Sequence, residues 1–120
     1  MQSDLGPLPI DHRDFLLSRE VKRMPPIAFR AYILLLCEMW ENGPLPKDMD
    51  MLSEYTGVSR TVFINRIWDH IRWLFFEVDD LDGTKYLDHE FTHHQRQKAI
   101  KALVARQKMS KAASKRAKRP

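Results

Sequence analysis

From Met49 to Phe75 the apolar positions recur at three- and four-residue steps, and the rhythm breaks once, at Gly57. Met51, Leu52 and Tyr55 fall close to one face of a short helix, and Phe63, Ile64, Ile67, Trp68, Ile71, Leu74 and Phe75 make the core stripe of a longer one. The polar residues punctuate this pattern. Asp48 is placed to accept the free N–H groups that open the first helix. Gly57 supplies the left-handed residue that ends it, Val58 plugs the angle, and Ser59 caps the helix that runs on from Arg60. Helix, Gly-containing turn and capped helix make a helix-turn-helix unit, whose second helix suits a DNA major groove.

The flanking pattern completes a small fold. Residues 1–11, with Gly6, Pro7 and Pro9, read as an irregular, flexible arm, and Asp14 to Val21 leaves helix and strand open. Pro25 and Pro26 open a helix, because the first turn does not need the N–H that proline lacks. Ile27 to Trp40 is apolar almost all round, with Arg30, Glu38 and Glu41 as a wet edge, so it belongs at the centre. Asn42-Gly43-Pro44 stops it. Phe76–Asp79 and Lys85–Asp88 flank an Asp82-Gly83 step, a hairpin signal, and a hairpin after a helix-turn-helix is a wing. From about Glu90 the chain reads helical again, with a narrow strip of Ala99, Ile100, Leu103 and Val104; past Met109 it has no large apolar residue and is expected to fray unless a partner orders it. The expected class is mainly α with a small β-hairpin: a winged helix-turn-helix body over residues 12–92 and a basic C-terminal helix and tail over 93–120.

Charge sharpens the picture. All 16 acidic residues lie at or before Glu90, beside 10 Lys and Arg, a net of −6; from Phe91 onward 10 Lys and Arg stand without an acid, a net of +10. An acidic body with a basic tail points to a polyanionic partner, most often nucleic acid. With 43% apolar residues the chain supports one modest core. No secretory signal is visible, and the longest apolar stretch is too short and too charged to span a bilayer. A lone Cys37 excludes an internal disulfide and fits a cytoplasmic setting, and its place in an apolar helix reads as a small buried side chain.

Arg30-Ala31-Tyr32, Leu35-Leu36, Trp40, Asn42-Gly43-Pro44-Leu45-Pro46, Gly57-Val58-Ser59 and a hairpin followed by a basic Ala-rich helix form a recognisable series. Over roughly residues 12–113 it resembles the YdaU-like domain of unknown function found in bacterial and prophage proteins, often near phage replication genes. Many members carry glycine where this chain has Arg30. The resemblance implies a winged-helix-like fold and a phage or prophage setting in DNA replication or its regulation. It brings no catalytic residue.

Three sets of residues invite chemistry. His89-Glu90-Phe91-Thr92-His93 is a literal H-E-x-x-H, the zinc-protease pattern in which two His ligate from one helical face. No acid follows Glu90, so a downstream Glu ligand is missing; His12, His70 and His94 are distant substitutes. No metal, cofactor or catalytic residue is therefore assigned, and the chain reads as a non-enzyme. On the second helix of the pair, Arg60, Thr61, Asn65 and Arg66 suit base edges, Arg for guanine and Asn for adenine. In the tail, Arg96, Lys98, Lys101, Arg106, Lys108, Lys111, Lys115, Arg116, Lys118 and Arg119 suit phosphates, with the alternative that the tail folds back on the acidic body. Trp40 and Trp68 fit core positions, whereas Trp73 lies off the main stripe, partly exposed or covering the wing. The leading expectation is a phage-derived DNA-binding protein. The alternative is a protein–protein adaptor that docks a replication or transcription partner, because Glu77, Asp79, Asp80, Asp82 and Asp88 make the wing repel phosphate.

Overall fold

The computed structural model describes residues 5–117 and shows a mainly helical chain with one small three-stranded antiparallel sheet. A single wide turn, His12–Leu16, is followed by helices α1 (Arg19–Arg23) and α2 (Pro26–Asn42), strand β1 (Leu45–Pro46) and helix α3 (Met49–Thr56). Helix α4 then covers residues 60–74, the hairpin β2 (Phe76–Asp79) and β3 (Lys85–Asp88) follows, and α5 runs from Glu90 to Ala117. Among the described residues no helix is long and apolar enough to cross a membrane.

The ambiguous segment before Pro25 is helical because two side chains cap it. Asp11 Oδ1 accepts the Arg13 and Asp14 amides at 2.9 and 3.2 Å, and those bonds hold its carboxyl below the usual range. Ser18 Oγ accepts the Val21 amide at 3.3 Å. The arm before it touches the body through Gly6, whose carbonyl accepts the Trp40 indole N–H at 2.8 Å.

α2 lies at the centre, as its pattern requires. Ala28, Ala31, Tyr32, Leu35, Leu36, Met39 and Trp40 are buried, against Leu52 of α3, Phe63, Ile67 and Ile71 of α4, and Leu45 and Leu87 of the sheet. Its outer seam corrects one expectation. Cys37 falls in line with Arg30 and Glu41, at seven- and four-residue steps, and is exposed, not buried. Residual burial, with Glu38 and Glu41 nearby, raises its thiol pKa and so lowers the reactive thiolate fraction.

The helix pair forms as its caps dictate. Asp48 Oδ1 accepts the Asp50 and Met51 amides at 2.8 and 3.2 Å, Gly57 adopts φ 71°, and Ser59 Oγ accepts the Val62 amide at 3.2 Å. The inward face of α3 is more polar than expected: Leu52, Ser53 and Thr56 are buried and Met51 is exposed. The two hydroxyls tolerate burial because they donate back into their own helix, Ser53 to the Asp50 carbonyl and Thr56 to Leu52 and Ser53. Arg30 closes the turn by donating to the Thr56 carbonyl at 2.9 Å, a cation at a helix C-terminus. In α4 a wide π turn spans Phe63–Trp68. Its extra residue lets Phe63, Ile67 and Ile71 stack inward at steps of four and swings Ile64 out, so Ile64 leaves the predicted stripe.

The sheet order is β1-β3-β2, with Leu45 and Glu77 both opposite Leu87, and Pro46 and Val78 both opposite Tyr86. The hairpin closes as its Asp82-Gly83 step suggests: Asp80 N–H reaches the Thr84 carbonyl at 2.8 Å and Gly83 takes φ 84°. β1 is the element the pattern missed, for two residues ending in proline carry no strand rhythm; tertiary pairing of Leu45 with Leu87 makes it. α5 also departs from expectation, running through Ala117 past Met109, over residues rich in the good helix formers Ala, Lys and Arg.

Candidate nucleic-acid interface

α4 is fixed from beneath by Phe63, Ile67 and Ile71, so its outer side is a rigid platform. Arg60, Thr61, Asn65 and Arg66 are all exposed on it. Among the described residues the side chains of Thr61, Asn65 and Arg66 make no hydrogen bond or ion pair, and are free to meet a ligand. Arg60 is partly engaged, with its Nε 3.4 Å from Asp50 Oδ1. Arg72 lies 3.8 Å from Asp69, one turn further on.

α5 divides its cations. Arg96 is structural: its Nε donates to the Trp40 carbonyl at 3.1 Å, and its guanidinium covers Gly43, where a Cβ would lie 3.4 Å from Nη1. It therefore closes the C-terminus of α2 as Arg30 closes that of α3. Lys98, Lys101, Arg106, Lys108 and Lys111 are exposed, and among the described residues none of them makes an ion pair. These five cations thus make no ion pair with the acidic body. Lys115 and Arg116 fall in the last turns of α5, while Lys118 and Arg119 lie outside the described residues.

The β2–β3 hairpin is acidic but internally compensated along one face. Glu77 takes Lys47 as its hydrogen-bonded partner, with Lys85 at 3.5 Å, and these cations hold its carboxyl below the usual range. Asp79 lies 3.9 Å from Lys85. Asp82 accepts the Thr84 amide at 2.9 Å, which lowers its pKa, and stays exposed at the tip beside Asp80.

The junction between β3 and α5 holds the H-E-x-x-H residues in structural roles. His89 is buried and caps α5: its Nδ1 accepts the Thr92 amide at 3.3 Å, with the Thr92 hydroxyl 3.0 Å away. The ring proton then sits on Nε2, 2.7 Å from the Tyr32 hydroxyl. Burial lowers the His89 pKa against the opposing pull of Asp88 and Glu90, so the ring is neutral at pH 7. His93 Nδ1 meets the buried Asp88 carboxylate at 2.9 Å. Both nitrogens of His89 are engaged, and among the described residues no group of three or more His, Cys, Asp or Glu is arranged to hold a metal ion.

One constellation escaped the sequence pattern. Arg19 and Arg23 of α1, one turn apart, line an open groove with His70 and Trp73 of α4, and Trp73 is 57% exposed. The signal was present, in an off-stripe tryptophan and an i, i+4 arginine pair, but only the fold brings the two together. No protein-family model, curated protein or solved structure matches the chain.

Proposed function

We propose that this is a DNA-binding protein of winged-helix type, in which α4 supplies base contacts and α5 supplies the grip on phosphate. The carrying observation is the row of exposed, ion-pair-free cations on α5, Lys98, Lys101, Arg106, Lys108 and Lys111, on a chain whose acids all lie upstream. A helix whose charges from Arg96 onward are all positive is complementary to a phosphate backbone, and among the described residues none of those cations forms an ion pair with the acidic body. The capped helix pair, the Gly57 turn and the hairpin support base contact by Thr61, Asn65 and Arg66, with Arg60 joining once it leaves Asp50. A place in phage replication or its control rests on the resemblance to YdaU-like domains alone.

Fluorescence anisotropy with labelled duplex tests this reading. Lys98, Lys101, Arg106, Lys108 and Lys111 changed together to Gln should lose most affinity and flatten the salt dependence for every sequence. Joint replacement of Arg60, Asn65 and Arg66 by Ala should instead erase discrimination between duplexes. If both variants bind as wild type does, the proposal fails.

A specific feature favours the adaptor as a second reading. Pro46, Tyr86 and Val78 lie in cross-strand register on the sheet face away from Leu45 and Leu87, and Phe76 and Val78 are exposed beside Asp79 and Asp80. An apolar patch with an acidic rim suits a basic protein partner. Unchanged duplex binding by a Val78→Lys variant that loses a co-purifying partner would favour that reading.

A further inference from the structure

The groove between α1 and α4 offers chemistry that a duplex reader does not need. It encloses about 310 Å³, near the lower end of small-ligand sites. Met24 contributes to its apolar lining, Trp73 presents more than half of its surface, and Arg19 and Arg23 lie across from it. Among the described residues neither arginine makes an ion pair, although Glu20 and Asp69 also line the groove. Asp69 is turned to Arg72 at 3.8 Å. Glu20 and Trp73 also line a second cavity, together with Asp11, Asp14 and Glu90. Phosphate is thus repelled from that cavity, whereas the groove offers two guanidinium groups that no carboxylate pairs among the described residues.

A solvated tryptophan is costly to display, and a flat aromatic surface beside two uncompensated guanidinium groups has a natural complement. Nucleobases stack on aromatic rings, and arginine forks match phosphate oxygens bidentately. A base paired within a duplex has its faces covered by its neighbours, so only an unstacked base can use Trp73 in this way.

We propose that the Trp73 groove is a binding site for single-stranded nucleic acid, with one base stacked on Trp73 and the phosphates on either side of it held by Arg19 and Arg23. The site is separate from α4's outer side and from α5, and stands or falls independently of duplex reading.

Tryptophan fluorescence of the full chain is the test, because cations on α5 do not quench an indole by stacking. The probes are an adenine-containing single-stranded oligonucleotide of about eight nucleotides, within the span of one single-strand site, the same sequence as a duplex, and adenosine monophosphate. The single strand should quench saturably, and the duplex and the mononucleotide should quench far less at equal concentration. Trp73→Ala should abolish the quench and weaken single-strand binding by roughly 5- to 150-fold, the range of one base–aromatic stack. Trp73→Phe should lose the signal yet keep most of the affinity, which separates stacking from damage to the fold. Arg19→Ala with Arg23→Ala should lower the salt slope by about 1 to 1.5. Wild-type affinity in Trp73→Ala would overturn the proposal, as would equal quenching by the duplex. Equal quenching by the mononucleotide would replace a strand site with one for free nucleotides. Unchanged duplex binding and discrimination in the α5 and α4 variants, with the quench intact, would overturn the proposed duplex function and leave this site standing.

Discussion

Changing Tyr32 to Phe isolates one buried hydrogen bond. The ring of Tyr32 stacks on Phe15, with centroids 5.0 Å apart, and meets Phe75 edge-on at 5.8 Å; phenylalanine keeps both contacts. What is lost is the hydroxyl 2.7 Å from His89 Nε2, in a site where the imidazole is buried. An orphaned buried donor costs about 1–3 kcal/mol. For a domain of this size each kcal/mol lowers Tm by roughly 4–8 °C, so the variant should melt about 5–20 °C lower. Urea unfolding followed by circular dichroism at pH 7.5 measures this, with the m-value unchanged because the exposed surface is the same. The pH dependence carries the same logic. The unfolded chain binds a proton at His89 near 6.5, whereas burial delays that step in the folded state. Protonation therefore favours unfolding: the stability due to neutral His89 is complete above about pH 6.5 and is lost as pH falls toward the lowered folded pKa. His89→Asn keeps an acceptor for the Thr92 amide and removes the titration, so its stability should decline less than wild type between pH 7.5 and 5. A Tyr32→Phe protein within about 0.5 kcal/mol of wild type, the spread of inert surface changes, would refute the assignment of that hydroxyl. Parallel pH curves for wild type and His89→Asn would refute the titration argument.

Other features give equally direct outcomes. Asp48→Ala removes the acceptor of two α3 amides and should cost about 0.5–2 kcal/mol in urea unfolding, with Asp48→Ser recovering most of it. Gly57→Ala meets nothing nearer than Arg30 Nη2 at 3.9 Å, so its cost, about 1–2 kcal/mol, should come from the left-handed backbone alone. Arg96→Ala should lower thermal stability while leaving the salt slope of DNA binding almost unchanged, the reverse of Lys108→Ala, because Arg96 is held by the Trp40 carbonyl. Cys37 should react fully with Ellman's reagent in the folded protein, yet more slowly than a small free thiol at pH 7.5, since its pKa is raised.

What the pattern revealed was local, and what it missed was tertiary. Caps and stops act over one turn, so Asp48, Gly57 and Ser59 could be placed from the chain alone, and so could the hairpin around Gly83. Faces are harder. Met51 and Ile64 are apolar yet exposed, and Ser53 and Thr56 are polar yet buried, because a π turn rotates α4 and hydroxyls satisfied within α3 need no water. β1 and the Arg30 and Arg96 caps depend on partners far along the chain: Leu87 for the strand, Thr56 and Trp40 for the arginines. The candidate sites divide the same way. Arg60, Thr61, Asn65 and Arg66 were legible from helix phase, and the α5 cations from charge, whereas the Trp73 groove needs two helices separated by α2, β1 and α3.

The allocation of positive charge ties these sites together. In the body, Arg30 serves a helix terminus, Lys47 and Lys85 neutralise Glu77, and Arg60 and Arg72 sit beside Asp50 and Asp69. Each is compensated by a neighbour the fold supplies. Arg66, the groove pair Arg19 and Arg23, and the α5 cations beyond Arg96 are not, among the described residues. If uncompensated charge marks where an anion binds, substitutions in the second group should weaken nucleic-acid binding with little effect on folding, and those in the first should do the opposite. Arg30→Ala against Arg66→Ala is the sharpest pair, since both remove one guanidinium close to the α3–α4 pair. Arg30→Ala leaves the Thr56 carbonyl without its donor and should shift urea unfolding by about 1–3 kcal/mol. Arg66→Ala breaks no bond within the fold and should change duplex affinity alone. Equal loss of stability in the two variants would show that compensation in the fold is no guide to where the ligand sits.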